Sequence, residues 1–262
     1  MAKMLSVIII TRNEAANIRA CIASVAWADE IVVVDSGSTD DTVGIAREMG
    51  ALVYRHADWP GFGPQKNRAL SYATGEWVFS IDADERVTPE LRAEIERAML
   101  EEGAAGYHCP RLSQFCGTFI RHCGWYPDYV LRLFKREAGR FSDSLVHESV
   151  LLTGNTARFK SPLLHYSYLT VADVERKVEH YSNAAAQQML AAGKRASLMS
   201  AVLSAGWAFL RTYVLRLGAL DGVAGWRIAL MNARTTYLKY RKLTALQMQC
   251  SHPRTSRNPV QK

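Results

Sequence analysis

The chain has 262 residues, 48% of them apolar and 22% charged, with 17 Gly and 8 Pro. That composition excludes disorder of the whole chain and collagen-like or low-complexity repeats, because enough apolar surface exists to offset chain entropy. The length allows one large domain or a domain with an appendage. The net charge of +7 is uneven: residues 193–262 carry 12 Lys/Arg against one acid, Asp221, whereas residues 1–192 carry 20 basic against 24 acidic side chains. The C-terminal part therefore calls for an anionic partner, a membrane surface or acidic lipid. No nucleic-acid-binding motif is present, and nucleic acid is not expected.

The first half alternates strand and helix patterns. LSVIII (5–10) is a continuous apolar run, as in a strand covered on both faces. With no small-residue cleavage site after it, the N-terminus reads as a first strand and not as a signal peptide. A helix over 14–25, a strand IVVV (31–34), a helix ending near Met49, and a strand LVYRH (52–56) follow. A Gly/Pro-rich loop leads to a helix over 65–73 and a strand EWVFSI (76–81). Thr88 and Pro89 then open a helix running to about residue 102. Regular alternation of this kind predicts a mostly parallel α/β sheet with right-handed crossovers. Beyond Gly103, short strands are expected over 106–111, 130–135 and 146–152, then helices over 171–192, 196–217 and 223–243. The expected organisation is a catalytic domain over 1–170, a basic helical region over 171–250 and a tail over 251–262.

Five cysteines (21, 109, 116, 123, 250) form no CxxC pair and match no common zinc spacing. They read as free thiols in a reducing, cytoplasmic compartment. Ala196–Leu210 is a 15-residue run without charge. As a helix it reaches about 22 Å, short of a ~30 Å hydrocarbon core, so it is expected to be buried or interfacial, not spanning. Trp207, Phe209, Tyr213 and Trp226, interleaved with Arg211, Arg216 and Arg227, suit a headgroup-level surface or an ordinary packed helix.

In an open α/β sheet, ligands sit beyond the C-terminal strand ends. Three such ends carry polar clusters: Thr11-Arg12-Asn13-Glu14, Asp35-Ser36-Gly37-Ser38-Thr39-Asp40, and Asp82-Ala83-Asp84. Neither GxGxxG nor GxxxxGK[ST] is present, which disfavours a dinucleotide fold and a P-loop. The two carboxylates of Asp82-Ala83-Asp84 suit one hard cation, Mg²⁺ or Mn²⁺, that also binds a diphosphate.

Together and in order, SVIIITRNEAANI (6–18), IVVVDSGSTDDT (31–42), KNRAL (66–70) and GEWVFSIDADE (75–85) resemble the family 2 glycosyltransferases of the GT-A fold. CGWYPDYVLRLFKR (123–136), LVHESV (145–150), LLHYSYLT (163–170) and the helical segment 219–243 are similar to a narrower group, the lipopolysaccharide core glucosyltransferases that act on inner-core heptose. The resemblance implies a nucleotide-diphospho-sugar (GT-A, Rossmann-like) domain with a C-terminal helical extension. It implies inverting transfer of a sugar, glucose by analogy, from a UDP-sugar to an anionic glycolipid. Thr11, Asn13 and Glu14 are expected to line the nucleotide pocket, and Asp35 to accept a hydrogen bond from uracil or ribose. Lys66 and Arg68 are expected near the donor phosphates. Asp82 is expected at the donor ribose or the metal's hydration shell, with Asp84 ligating the metal directly. Arg132 is expected to neutralise the leaving diphosphate. The catalytic base is expected to be Glu148 or Asp128, and His147 and His165 are candidates for acceptor or metal contact. The expected location is the cytoplasmic face of the inner membrane, in peripheral contact through Arg234, Lys239, Arg241 and Lys242. Two other readings share these features: sugar transfer to a polyprenyl phosphate, and a non-catalytic nucleotide-sugar-binding protein at the membrane.

Overall fold

The apolar runs and polar breaks resolve, in a computed structural model, into twelve strands and seven α-helices among the described residues (4–101, 103–143, 149–168 and 170–251). They follow in the order β1 (Leu5–Thr11), α1 (Ile18–Ser24), β2 (Glu30–Asp35), α2 (Thr42–Glu48), β3 (Leu52–Arg55), α3 (Phe62–Tyr72), β4 (Trp77–Ser80), β5 (Glu85–Val87) and α4 (Pro89–Leu100). Next come β6 (Gly106–Phe115), β7 (Thr118–Phe119), β8 (Asp128–Lys135), β9 (Gly139–Phe141), β10 (Val150–Leu152), β11 (Thr156–Arg158) and β12 (Leu163–Tyr168). Three helices close the chain: α5 (Val171–Ala191), α6 (Leu198–Leu210) and α7 (Gly222–Ser251).

Two compact units divide the chain: residues 1–114 with 126–167, and residues 115–125 with 168–262. The excursion 115–125 groups with the helical part.

The main sheet of the first unit runs β3-β2-β1-β4-β8-β6-β12-β5. β1 pairs in parallel with β2 and β4, and β2 in parallel with β3. β8 then enters antiparallel to β4, and β5 antiparallel to β12. The result is the expected α/β fold, a mixed sheet whose first half is parallel, with a helical C-terminal region. The continuous apolar runs are explained by cover on both faces. Val7 and Ile9 of β1, with Val33, Trp77 and Phe79, pack beside Ile18, Ile22, Leu91 and Ile95. Ile8, Val32, Val34 and Val78 form the opposite layer, with Ala69 and Ala73. Thr88 caps α4 by accepting from Leu91 N at 3.2 Å.

Helix α1 starts at Ile18, four residues later than its pattern suggests. The chain over 12–17 is used instead to join the β1 and β2 ends. Asn13 N donates to Ser38 Oγ at 2.9 Å, and Glu14 N to Thr42 Oγ1 at 2.8 Å. The short strands β5, β9, β11 and β12 were not expected from the sequence. The expected strand over 146–152 is seen as β10, and residues 146–148 lie outside the described residues.

Cys21, Cys109, Cys116 and Cys123 are free thiols. In the second unit, Phe115, Ile120, Cys123 and Ile228 make a small core. Asp221 is enclosed there, accepting from Arg121 N at 3.2 Å and His122 N at 2.9 Å and pairing with His122 Nδ1 at 2.9 Å.

Candidate active site

The strand ends of β1, β2 and β4 lie side by side because the parallel register sets Thr11 opposite Asp35 and Ser6–Ile8 opposite Val78–Ser80. Past β4, Ile81 N bonds Ile8 O, and the chain turns through Asp82-Ala83-Asp84 into β5. Arg86 clamps this turn, donating to Ala83 O at 2.8 Å and, with its other nitrogen, to Asn17 O at 2.9 Å. Strand β12 lies antiparallel to β5 with His165 opposite Glu85, and Tyr166 N bonds Asp84 O at 2.9 Å. That pairing brings the His165 ring to the turn. Its Nε2 sits 3.3 Å from Asp84 Oδ2, while its Nδ1 is 2.9 Å from Ser113 Oγ.

A cavity of about 440 Å³ opens here, lined by Thr11, Glu14, Asp82, Asp84 and His165 together with Trp59 and Phe62. Burial raises the Glu14 carboxyl, against a hydrogen bond from Asn17. Trp59 and Phe62 meet edge to face, with ring centroids 4.9 Å apart, and both are exposed. A second cavity of about 750 Å³ shares Asp82 and is lined by Lys66, Arg111, Tyr129 and Arg132.

Between the cavities lies a buried ionic cluster. Asp82 Oδ1 faces Lys66 Nζ at 3.1 Å, and Asp82 Oδ2 accepts from Arg132 Nη2 at 2.5 Å. The same Arg132 nitrogen reaches Glu85 Oε1 at 2.6 Å, and Glu85 Oε2 accepts from Asp82 N at 3.0 Å. Burial pushes the Asp82 carboxyl up, but Arg132 and Lys66 together outweigh it and hold it well below the usual carboxylate range. Glu85 has no exposed surface, and burial leaves its carboxyl raised against the pull of Arg132. Arg132 Nε is buried with no hydrogen-bond partner.

This geometry changes several expected placements. Asp82, expected to share the metal with Asp84, spends both oxygens on Lys66 and Arg132. Lys66 and Arg132, expected near the donor phosphates, line the second cavity and anchor Asp82. Asn13 does not line the first cavity; its Oδ1 accepts from Thr39 N at 2.8 Å. Asp35 is fully buried in its own loop, accepting from Gly37 N at 3.2 Å, Ser38 N at 3.1 Å and the Ser38 hydroxyl. Arg68 lines neither cavity and pairs with Asp58 at 2.5 Å. Asp128 pairs with Arg111 at 2.6 Å, its cross-strand partner on β6. Thr11, Glu14, Asp84 and His165 are brought together as expected neighbours of one cavity. Glu148 and His147 lie outside the described residues.

Sequence reasoning missed Glu85, Trp59 and Phe62. Glu85 carried a signal, an acid directly following a strand-end Asp-Ala-Asp. The aromatics carried one too, as large rings in the turn-rich segment Trp59–Pro64.

A divalent cation fits the donor set. Asp84 and His165 offer a carboxylate oxygen and an imidazole nitrogen on one side of the cavity, a mixture that suits Mn²⁺ well and Mg²⁺ through the oxygen. Among the described residues no group of three His, Cys, Asp or Glu side chains converges as a self-sufficient metal site. A cation here would complete its shell from water and from phosphate oxygens of a bound nucleotide, as hard cations at nucleotide sites do.

Residues 6–151 match the family model for glycosyl transferase family 2. The chain is 30% identical over 98% of its length to an uncharacterized glycosyltransferase of Rickettsia prowazekii (strain Madrid E), covering 92% of that protein. It is 31% identical over 91% of its length to the lipopolysaccharide core biosynthesis glycosyltransferase LpsC of Rhizobium meliloti (strain 1021), covering 91% of that protein. Among solved structures, TarS (1–349) of S. aureus superposes with a TM-score of 0.47 at 16% identity, covering 96% of this chain and 93% of that one. With a carboxylate turn at the strand ends and a family match of this extent, the molecule is an enzyme of the glycosyl-transferring class. The chain belongs to glycosyltransferase family 2.

Proposed function

We propose that the protein is an inverting glycosyltransferase that moves a sugar, glucose in the first instance, from a UDP-sugar to an anionic glycolipid, a heptose of the lipopolysaccharide core. The observation that carries this reading is the cavity where Thr11, Glu14, Asp84 and His165 converge at the C-terminal ends of the parallel strands. Similarity to LpsC over nearly the whole chain supports the acceptor class.

The donor nucleotide occupies the smaller cavity. Trp59 and Phe62 offer a stacking surface for a flat or apolar ring face. Asp35 acts through the loop it staples, which fixes Ser38 and, through Asn13, the β1 end. Asp84 and His165 hold the cation, which when bound stabilises the negative charge of the departing diphosphate. Ser113 holds the His165 ring so that Nε2 stays aimed at Asp84. Glu85 and Arg132 keep Asp82, and with it the turn, in place.

The acceptor occupies the larger cavity, where Lys66, Arg111 and Arg132 give a cationic lining. The acceptor hydroxyl attacks the anomeric carbon opposite the UDP. One C–O bond forms as the bond to the diphosphate breaks, and the hydroxyl proton passes to a carboxylate. Glu148 is assigned this base, since Asp128 is committed to Arg111. Its residue is followed in sequence by Ser149 and Val150, both lining the larger cavity. Glu148→Gln is expected to keep UDP-sugar binding and lose turnover by about 10²–10⁴-fold. A near-normal Glu148→Gln beside an inactive Asp128→Asn reverses the assignment.

The deciding experiment incubates the protein and Mn²⁺ with a panel of UDP-sugars and two acceptors, a truncated heptose-containing glycolipid and a polyprenyl phosphate. Mass gain of one hexose on the heptose acceptor supports the proposal. Gain on the polyprenyl phosphate alone moves the acceptor class, and no gain with any pair overturns it.

A further inference from the structure

The second unit shows a broad apolar surface that its own fold does not cover. Helix α6 continues through the wider turn Arg211–Leu215, and its residues Met199, Leu203, Trp207, Leu210 and Val214 recur at three- to four-residue spacing on one exposed face. The opposite side carries Ala201 and Thr212, both buried, and Asn232 of α7 donates to Thr212 Oγ1 at 3.1 Å. Packing on α7 thus uses the small residues, and the large ones are left in solvent. On the first turns of α7, Val223, Trp226 and Leu230 are exposed in the same way, and side-chain exposure across these eight residues runs from 45% to 69%. Leu217 lies between the two helices at φ 53°, a backbone state that residues other than glycine rarely adopt, and it is also exposed. A contiguous patch of this size is rare on a soluble monomer and marks an interaction surface.

Charge decides the occupant. Lys194 and Arg195 precede α6, Arg211 and Arg216 follow it, and Arg227 borders the α7 part; all are exposed. None of the five has a carboxylate partner among the described residues. The sole acid of residues 193–262, Asp221, is turned inward onto Arg121 and His122. The border therefore offers cations only, which repels a second copy of the same face and attracts an anionic one. Apolar side chains ringed by cations, with tryptophans among them, match the layering of a lipid surface.

We propose that this face embeds in one leaflet of an anionic lipid bilayer. It lies along the leaflet and does not cross, although Leu198–Leu215 is by length and composition alone long enough to span: the large apolar side chains gather on one face, and the opposite face is packed. The segment also contains Arg211 and is tied along one side to α7. The face takes in Trp207, Trp226, Arg211, Arg216 and Arg227, which the sequence offered for a headgroup-level surface, and leaves aside two of the four later cations. Arg234 faces Glu175 at 3.6 Å and Lys242 binds Glu179 at 2.7 Å, so these two C-terminal cations are committed to α5. The inference is independent of the donor and acceptor assigned above.

Vesicles of phosphatidylethanolamine and phosphatidylglycerol, with phosphatidylcholine vesicles as the neutral control, test it using the full chain. The protein is expected to co-sediment with the anionic vesicles and to remain bound at ~0.5 M salt, where surface charges are screened. Its tryptophan emission should be quenched by nitroxides attached at a shallow acyl position. The combined variant Leu203→Gln/Leu210→Gln/Val214→Gln changes only exposed side chains. It should keep the circular dichroism of the parent while its partition to the vesicles falls about 100-fold or more. A lesser set, Leu203→Ser with Leu210→Ser, serves if the triple variant does not fold. Three results overturn the proposal: no sedimentation with anionic vesicles; binding that salt abolishes and the variants leave unchanged; or a wild-type dimer that the variants convert to monomer without any vesicle binding.

Discussion

Arg132 bonds both Asp82 and Glu85 through one nitrogen, with Lys66 as the second cation of Asp82 at 3.1 Å and Arg111 at 3.8 Å from Glu85. Removing Arg132 takes from the fully buried Glu85 its nearest counter-charge, a change that costs up to about 3–5 kcal/mol when one partner of a buried pair is lost. Arg132→Met is expected to lose that much stability in urea unfolding at neutral pH. The sign with pH follows from Asp82. Its carboxyl lies below its unfolded value in the folded state, so its contribution is complete at neutral pH and fades as pH falls below about 4. The deficit of Arg132→Met should therefore shrink on acidification, and a deficit that does not change with pH would count against the ionic account. The His165 ring makes a second residue-scale test. If Nε2 and Asp84 hold a cation together, His165→Ala should raise the Mn²⁺ concentration needed for UDP release by about 10-fold or more, with little change in unfolding midpoint. Asp82, Asp84 and Thr11 could be picked out in the sequence because strand ends carry ligands. The commitment of Asp82 to Lys66 and Arg132 could not, since they approach from α3 and β8, 16 and 50 residues away in sequence, and no local pattern reports such contacts.

At the scale of elements, the parallel half of the sheet was readable because its strands are buried on both faces and their apolar runs are unbroken. Strand β12 was not. It is six residues long, a short alternation of Leu164, Tyr166 and Tyr168 with His165 and Ser167 directly before a helix, and every residue past Leu163 is half-buried. Its placement beside β5 is nevertheless what delivers His165 to Asp84. Strand β5, only three residues long, was hidden between the carboxylate turn and the cap of α4. The Gly/Pro-rich segment before α3 is legible as a loop, and nothing local in it reports that its two rings meet. In the structure Trp59 and Phe62 stand together on the cavity. Trp59→Ala is expected to raise the KM for the UDP-sugar by about 5- to 100-fold, in the range of one lost base-stacking contact, with kcat little changed. A variant that loses kcat and keeps KM would place Trp59 in the chemistry and not in donor binding.

Across the whole molecule, the charge asymmetry read from composition holds a physical meaning that needed coordinates to locate. The sequence concentrates cations after Gly193, and the helices then divide them. Arg234 and Lys242 face α5, while Lys194, Arg195, Arg211, Arg216 and Arg227 border exposed apolar side chains. The family and the α/β fold were legible from four motifs in order, which together constrain much more than the Asp-Ala-Asp turn alone. The account of catalysis centres on Asp84 at the cavity of the parallel strand ends, acting with a divalent cation on a UDP-sugar. The most direct measurement is UDP release from UDP-glucose by wild type and by Asp84→Ala, each with Mn²⁺ and with chelator. The account predicts release by wild type that requires Mn²⁺ and is absent from Asp84→Ala, with both proteins folded. Release by Asp84→Ala in chelator at the wild-type rate would contradict it.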